Sequence, residues 1–381
     1  MRARGRGAQL IVALTKIALL LLIIDWWVGG RFFDVYVLPR YVTPFLLLRD
    51  RTGGQNPMML FDALHRVPRR GLRVAFLGDS TMNALDGLDD TTIPYLTGQA
   101  LRAQQAEIDA VDCSEIGLYA GDAALMVDKL VGARDVDVIV YGAALRAFPR
   151  APFTRWVSRI SEGMNVDDLW RIVRVGGGEW LRRSLSAEQV LTGVVRTHWA
   201  TYAYRTPLRN ALWERRLRPL VAGWPQLEQL LRPLPVVETP ALAPRAASAG
   251  PYEWPRDEYG PPSGNWQALE VMGQLCARYA PGRCVFYAGP VNPVGRDHLV
   301  EPELYEEYLA HLRVVVGRYG IIWRDLTNSM TGSDFRPPKY GGLRDPIHMN
   351  EQGRAKLAKL LVAPILEAAA NAQAVQSRHA R

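Results

Sequence analysis

The sequence predicts an α/β protein, a three-layer domain with a parallel sheet, a helical insertion and one N-terminal transmembrane helix. Three observations predict it. Short apolar runs rich in strand-formers, at residues 74–77, 107–116, 136–141, 283–288 and 321–326, alternate with helical patterns at 95–104, 122–130, 266–279 and 302–319. A stretch rich in Trp, Leu and Arg at 153–232 interrupts that alternation after the third strand. An apolar run at 10–28, behind Arg2, Arg4 and Arg6, precedes all of it.

The apolar run is broken only by Lys16 and Asp25 and is long enough to span a bilayer. Trp26 and Trp27 stand at its far end, where aromatic side chains anchor at an interface. A cleaved signal peptide needs a small-x-small site, and the run passes instead into Asp25, Trp26 and Trp27. An uncleaved signal anchor over residues 1–30 is therefore expected, single-pass in the cell membrane. The arginines then stay inside and the main body is extracytoplasmic (periplasmic). Residues 31–70 follow as a juxtamembrane connector, aromatic, proline-punctuated and without clean periodicity.

Residues 71–150 begin the domain proper. The strand at 74–77 leads through Gly78 to Ser80, and residues 81–88 can start a helix. A serine at such a turn exposes its Oγ as a nucleophile, or serves only as an N-cap. The second strand exits between Gly117 and Gly121, where glycine permits close backbone approach or simply a turn. The third ends at Gly142, Ala143, Ala144 and Leu145, with Arg146 next. Residues 151–264 form the insertion, with basic amphipathic helices suited to a membrane surface, a partner or plain solvent. A proline-rich loop at 233–263 closes it.

Residues 265–370 resume the alternation. Asn292 and the loop 325–328 follow strand C-termini, where ligands sit in open parallel sheets. Asp345 and His348, three residues apart, precede a last helix from about 351 towards 370, which Pro364 kinks or ends; 371–381 form a tail. A serine with a histidine base and an aspartate to orient it is the logic of acyl transfer, here in the order Ser, Asp, His. Asp62 and His65 share the spacing but precede the first strand, and rank below.

Composition narrows the partners. A formal charge of +8 suits an anionic membrane or an acidic polysaccharide. No nucleic-acid motif or dense basic run is present, so nucleic acid is not expected. Three cysteines make no disulfide framework: Cys276 and Cys284 either pair across a helix-to-strand turn or are simply buried, and Cys113 has no evident mate. No Cys/His spacing suggests zinc, and no metal or other cofactor is expected.

Gly78-Asp79-Ser80 near the start and Asp345-x-x-His348 near the end resemble the SGNH (GDSL-type) hydrolase superfamily, over about 73–146 and 283–364. The resemblance implies an SGNH-like domain with Ser80, Asp345 and His348 as catalytic residues. It also implies an oxyanion hole from the backbone N–H groups of Ser80 and Gly121. The sequence departs from the family's Gly-x-Asn-Asp, since Ala144 and Leu145 stand at its last two positions. Loss of one oxyanion donor costs about 100- to 1,000-fold in turnover. Arg146 and Asn292 are candidates to fill the gap.

The anchor, the insertion and the phrase Gly289-Pro290-Val291-Asn292-Pro293 resemble a narrower branch, which includes the alginate O-acetylation and D-alanyl-lipoteichoic acid transfer proteins. That implies a serine-dependent O-acyltransferase acting through an acyl-serine on a cell-surface or exported glycan or cell-wall polymer. A membrane-bound O-acyltransferase would be its partner. The alternatives are a membrane-anchored carbohydrate esterase or deacetylase, and a non-catalytic scaffold of a polysaccharide modification complex, to which Ala144 gives weight.

Overall fold

The computed structural model describes residues 3–40, 42, 48–49, 57–82, 89–104, 107–115, 117–133, 136–150, 164–213, 218–226, 252–337 and 345–379. Its centre is a parallel sheet of β1 (Leu48–Arg49), β2 (Leu72–Leu77), β3 (Ile108–Asp112), β4 (Val138–Ala143), β5 (Cys284–Ala288) and β6 (Ile322–Asp325). The spatial order is β1-β3-β2-β4-β5-β6, with β1 a two-residue edge strand. In register, Ala75 of β2 faces Val111 of β3 on one side and Ile139 of β4 on the other.

Strands buried on both faces read as continuous apolar runs, as β4 (VIVYGA) and β5 (CVFYA) do. Along β2 the side chains alternate: Ala75 and Leu77 join one core, Val74 and Phe76 the other. Helices α1 (Ala3–Trp27), α2 (Pro57–Arg66), α3 (Ile93–Arg102) and α4 (Ala120–Ala133) come before the insertion. Within it lie α5 (Val166–Arg174), α6 (Gly178–Ser184), α7 (Ala187–His198) and α8 (Arg205–Leu212). Helices α9 (Gly264–Tyr279), α10 (Pro302–Arg318) and α11 (Glu351–His379) complete the chain. Helices α4, α9 and α10 share the first core, and α3 and α11 the second, so the sheet is covered on both faces.

Several boundaries differ from those read in the sequence. The connector at 31–70 is largely helical where it is described. Helix α1 continues in wider, π-type winding through Val37, burying Val28, Phe32 and Phe33. The second piece, α2, buries Met59, Leu60, Ala63 and Leu64. Helix α11 neither ends at Pro364 nor stops at 370. Leu361 and Ile365 are fully buried, and packing offsets the backbone hydrogen bond that proline removes. Residues 83–88, where a helix was expected to follow Ser80, and 233–251 of the proline-rich loop lie outside the described residues. Cys276 and Cys284 form a disulfide with Cα atoms 6.1 Å apart, joining the end of α9 to β5, while Cys113 is a buried free thiol.

Helix α1 is long and apolar enough to cross a membrane. Its side chains from Val12 to Ile24 are largely exposed, and burial begins at Val28. The insertion grips the stem that follows. Asp25 Oδ1 accepts from the Thr201 N–H (2.6 Å), and the Phe33 and Tyr204 rings lie 4.9 Å apart.

One close approach near the end of β4 is directly testable. A Cβ on Gly142 would lie 2.6 Å from Tyr287 Oη, inside a packed core. Gly142→Ala is expected to destabilise the domain by about 1–3 kcal/mol, read as a lower denaturant midpoint at unchanged slope. A midpoint equal to wild type would show that β4 has slack there.

Candidate active site

In the strand order, β2 pairs with β3 on one side and β4 on the other. This is the switch point where the connections diverge, the place beyond the strand C-termini at which ligands sit in open parallel sheets. Ser80 stands three residues past the end of β2 and Arg146 three past the end of β4. The sheet topology alone brings them together.

Asp79 builds the serine turn. Its Oδ1 accepts from Thr81 N–H (2.8 Å) and Thr81 Oγ1 (2.7 Å), and its carbonyl accepts from Met82 N–H (3.0 Å). The tight turn projects the Ser80 side chain. Among the described residues, two groups meet Ser80 Oγ: His348 Nε2 at 2.9 Å and Arg146 Nη2 at 2.7 Å. Since a guanidinium only donates, Ser80 Oγ accepts from Arg146 and its own proton is directed to His348 Nε2.

The loop carrying His348 is braced from several sides. His348 Nδ1 lies 2.8 Å from Asp345 Oδ2, while Asp345 Oδ1 accepts from the N–H groups of Ile347 (3.0 Å) and His348 (2.9 Å). Burial opposes ionisation of Asp345, but these bonds outweigh it and draw the carboxyl down to about 2. The ionised carboxylate accepts from Nδ1–H, which leaves Nε2 as the acceptor facing Ser80. The His348 carbonyl accepts from Arg336 N–H (3.0 Å), and Phe335 and Met349 form an antiparallel bridge. Asn350 caps α11 by accepting from Gly353 N–H (2.9 Å).

Arg146 also donates from Nε to Asp79 Oδ2 at 2.6 Å. Burial opposes the charge on both partners, but their attraction prevails: the Asp79 carboxyl is held below its usual value and the Arg146 guanidinium above. The Asp79 side chain is 2% exposed and that of Arg146 18%, so the pair works with little solvent screening. A fixed cation thus touches Ser80 Oγ.

The other candidates lie elsewhere in the hydrogen-bond network. Gly121 N–H donates to Asn265 Oδ1 at 2.8 Å, and Asn265 Nδ2 donates to the Pro149 carbonyl. This buried link holds α4, α9 and the chain after β4 together, so the Gly121 N–H is occupied rather than offered to an oxyanion. Asn292 is buried and supports the His348 loop: its N–H donates to the Pro346 carbonyl (2.8 Å) and its Nδ2 to the Asp345 carbonyl (3.3 Å). In the loop 325–328, Asp325 accepts from Thr327 and Arg313. Asp62, of the lower-ranked pair, accepts from the Tyr204 hydroxyl (2.9 Å), and burial raises its carboxyl. The structural role of Asn265 was not read from the sequence, because a residue 144 positions from its partner leaves no local signal.

A cavity of about 610 Å³ lies away from Ser80, between the α1 stem and the insertion, with Asp25, His65, Lys129, Arg171 and Arg196 in its lining. Its charges are largely paired within the protein, as in Lys129–Asp168 and Arg171–Asp128. In comparison with known proteins, no family model and no curated protein matches the chain.

Proposed function

We propose that this chain is a membrane-anchored, extracytoplasmic serine O-acyltransferase of the SGNH type. It would modify a cell-surface or exported glycan through an acyl-serine, with the acyl group supplied by a membrane-bound O-acyltransferase. The observation that carries the reading is the continuous relay from Ser80 Oγ through His348 to Asp345 at the sheet switch point. The strand order β3-β2-β4-β5-β6, helices on both faces and the insertion after β4 fit the resemblance to that superfamily. Orientation is supported by Arg2, Arg4 and Arg6 ahead of the apolar helix and by the Cys276–Cys284 disulfide, which favours an oxidising compartment.

In the first half-reaction Ser80 Oγ bonds to the acyl carbon while His348 Nε2 takes the serine proton. The carbonyl π pair moves onto oxygen, stabilised by the Ser80 N–H and the Arg146 guanidinium in place of the asparagine absent at Ala144. Collapse expels the donor's leaving group, which receives the proton from His348. In the second half-reaction His348 removes a proton from a sugar hydroxyl, whose oxygen attacks the acyl-serine carbon; the bond to Ser80 Oγ breaks, and that oxygen takes the proton back from His348. Water in the sugar's place would make the same site an esterase.

The test uses the full chain in detergent with p-nitrophenyl acetate, with and without an oligosaccharide acceptor. Nitrophenol release, an acetyl group on the Ser80 peptide by mass spectrometry and acetylated sugar are expected, and Ser80→Ala removes all three. Nitrophenol and acetyl-Ser80 without acetylated sugar would favour the esterase. Absence of both turnover and acyl-serine in the wild type would sink the serine-enzyme reading in favour of the scaffold.

A further inference from the structure

Ser80 and Arg146 each follow a sheet strand within three residues, but Asp345 and His348 do not. Asp345 stands 20 residues past the end of β6, on a loop that leads into α11. The 2.9 Å approach of His348 Nε2 to Ser80 Oγ therefore depends on what fixes that loop against the sheet.

Asn292, four residues past the end of β5 and 1% exposed, links the two. Its N–H donates to the Pro346 carbonyl (2.8 Å), and its own carbonyl accepts from the N–H groups of Gly295 and Arg296 (3.0 Å each). Its Oδ1 accepts from Val294 N–H (3.1 Å) and its Nδ2 donates to the Asp345 carbonyl (3.3 Å). The side-chain amide thus meets a donor on one side and an acceptor on the other, and this pair of partners fixes which way it points. The turn that Asn292 builds also packs against the loop, since a Cβ on Gly295 would lie 3.3 Å from Pro346 Cβ. Asp345 is consequently held at both ends: its carbonyl by Asn292, its carboxylate by the N–H groups of Ile347 and His348.

We infer that Asn292 is a positioning residue for the reaction. It sets the Asp345–Pro346 peptide relative to the end of β5, and through that peptide it aims the His348 imidazole at Ser80. Its Nδ2 is directed to the Asp345 carbonyl, so it acts on the relay and not on the acyl oxygen. The effect on turnover rests on the serine-enzyme reading of the site. A misplacement of about 1 Å from a change away from the reacting atoms costs about 10²-fold, and loss of this link is expected to lower kcat by that much. Aspartate matches the shape of Asn292 and still accepts from Val294, but it turns a second acceptor towards the Asp345 carbonyl. Alanine removes both partners of the side chain.

Asn292→Asp and Asn292→Ala test this in the full chain in detergent. Thermal midpoints first fix a temperature at which each variant is folded. At that temperature p-nitrophenyl acetate gives kcat and KM. Nitrogen-15 NMR of labelled histidine, at alkaline pH, reports which ring nitrogen of His348 carries the proton; the signals are assigned by their loss in His348→Gln. Both variants are expected to show kcat about 10²-fold lower at unchanged KM, with the His348 proton no longer confined to Nδ1. Wild-type kcat in the folded variants would overturn the assignment, whatever the loss in midpoint. A lower kcat with the proton still on Nδ1 would overturn it too, and make Asn292 a direct donor to the oxyanion. If neither variant folds, Gly295→Ala, which crowds Pro346 from the same turn, should move both readouts in the same direction by less, and no movement of either overturns the assignment. A wild type without turnover would sink the serine-enzyme reading, and the tautomer then decides alone: a shift in the variants supports the positioning of His348, and none overturns it.

Discussion

Alanine at His348 is expected to lower turnover on an activated ester by about 10⁴- to 10⁶-fold, with the fold intact. The two described partners of Ser80 Oγ are His348 Nε2 and Arg146 Nη2, and a guanidinium does not accept a proton. In the proposed reaction His348 is thus the base in contact with the nucleophile. The fold should survive because the brace on this loop is largely main-chain: the His348 carbonyl accepts from Arg336, and Asn292 donates to the Pro346 and Asp345 carbonyls. Asp345→Asn is the finer form of the experiment. An amide oxygen can still accept from Ile347 and His348, but the imidazole loses the carboxylate that holds its proton on Nδ1, and about 10⁴-fold in kcat is expected to go.

The same carboxylate carries a stability signature. Its folded value of about 2 lies below the unfolded 3.8, so its ionised form is favoured by folding. That contribution is complete above about pH 4 and is lost as pH falls through 2. Acid denaturation of the wild type should steepen in that window relative to Asp345→Asn. Matching acid profiles, with kcat unchanged in the variant, would remove Asp345 from the relay.

The parts of this site that were legible in the sequence are those encoded by short spacing. Ser80 follows directly from a strand and Gly78, and Asp345 and His348 are separated by one turn, so neighbouring residues position them. The oxyanion role of Gly121 was implied by the family resemblance, and a non-local contact stands against it: Asn265, in a helix on the far side of the insertion, takes its N–H. Helix α2 was missed for a different reason. Its signals were present, with Pro57 at the first position, apolar residues 59, 60, 63 and 64, and His65 and Arg66 in the last turn. They were outweighed by the irregular composition of the stretch around it. Strands β2 to β6 were placed to within a few residues as short apolar runs, whereas the two-residue edge strand β1 was not read, being too short to make such a run.

Arg146 lies between these extremes, noticed in sequence only as the neighbour of a missing asparagine. Its partners Asp79 and Ser80 lie 67 and 66 residues away and meet it because β2 and β4 are adjacent and end together. Arg146→Ala is expected to lower kcat by about 10²- to 10³-fold, the cost of one oxyanion donor. The single variant also leaves buried Asp79 without its counter-charge, which by itself destabilises the turn. Asp79→Asn combined with Arg146→Ala separates the two effects. If Arg146 acts on the reacting oxygen, the double variant regains thermal stability while kcat stays low, and added guanidinium ion restores part of it. Arg146→Lys should fall between, because an ammonium keeps the charge but lacks the planar fork that reaches Asp79 through Nε and Ser80 through Nη2 at once. Full recovery of kcat in the double variant would reduce Arg146 to a structural partner of Asp79. The oxyanion would then rest on backbone N–H groups alone.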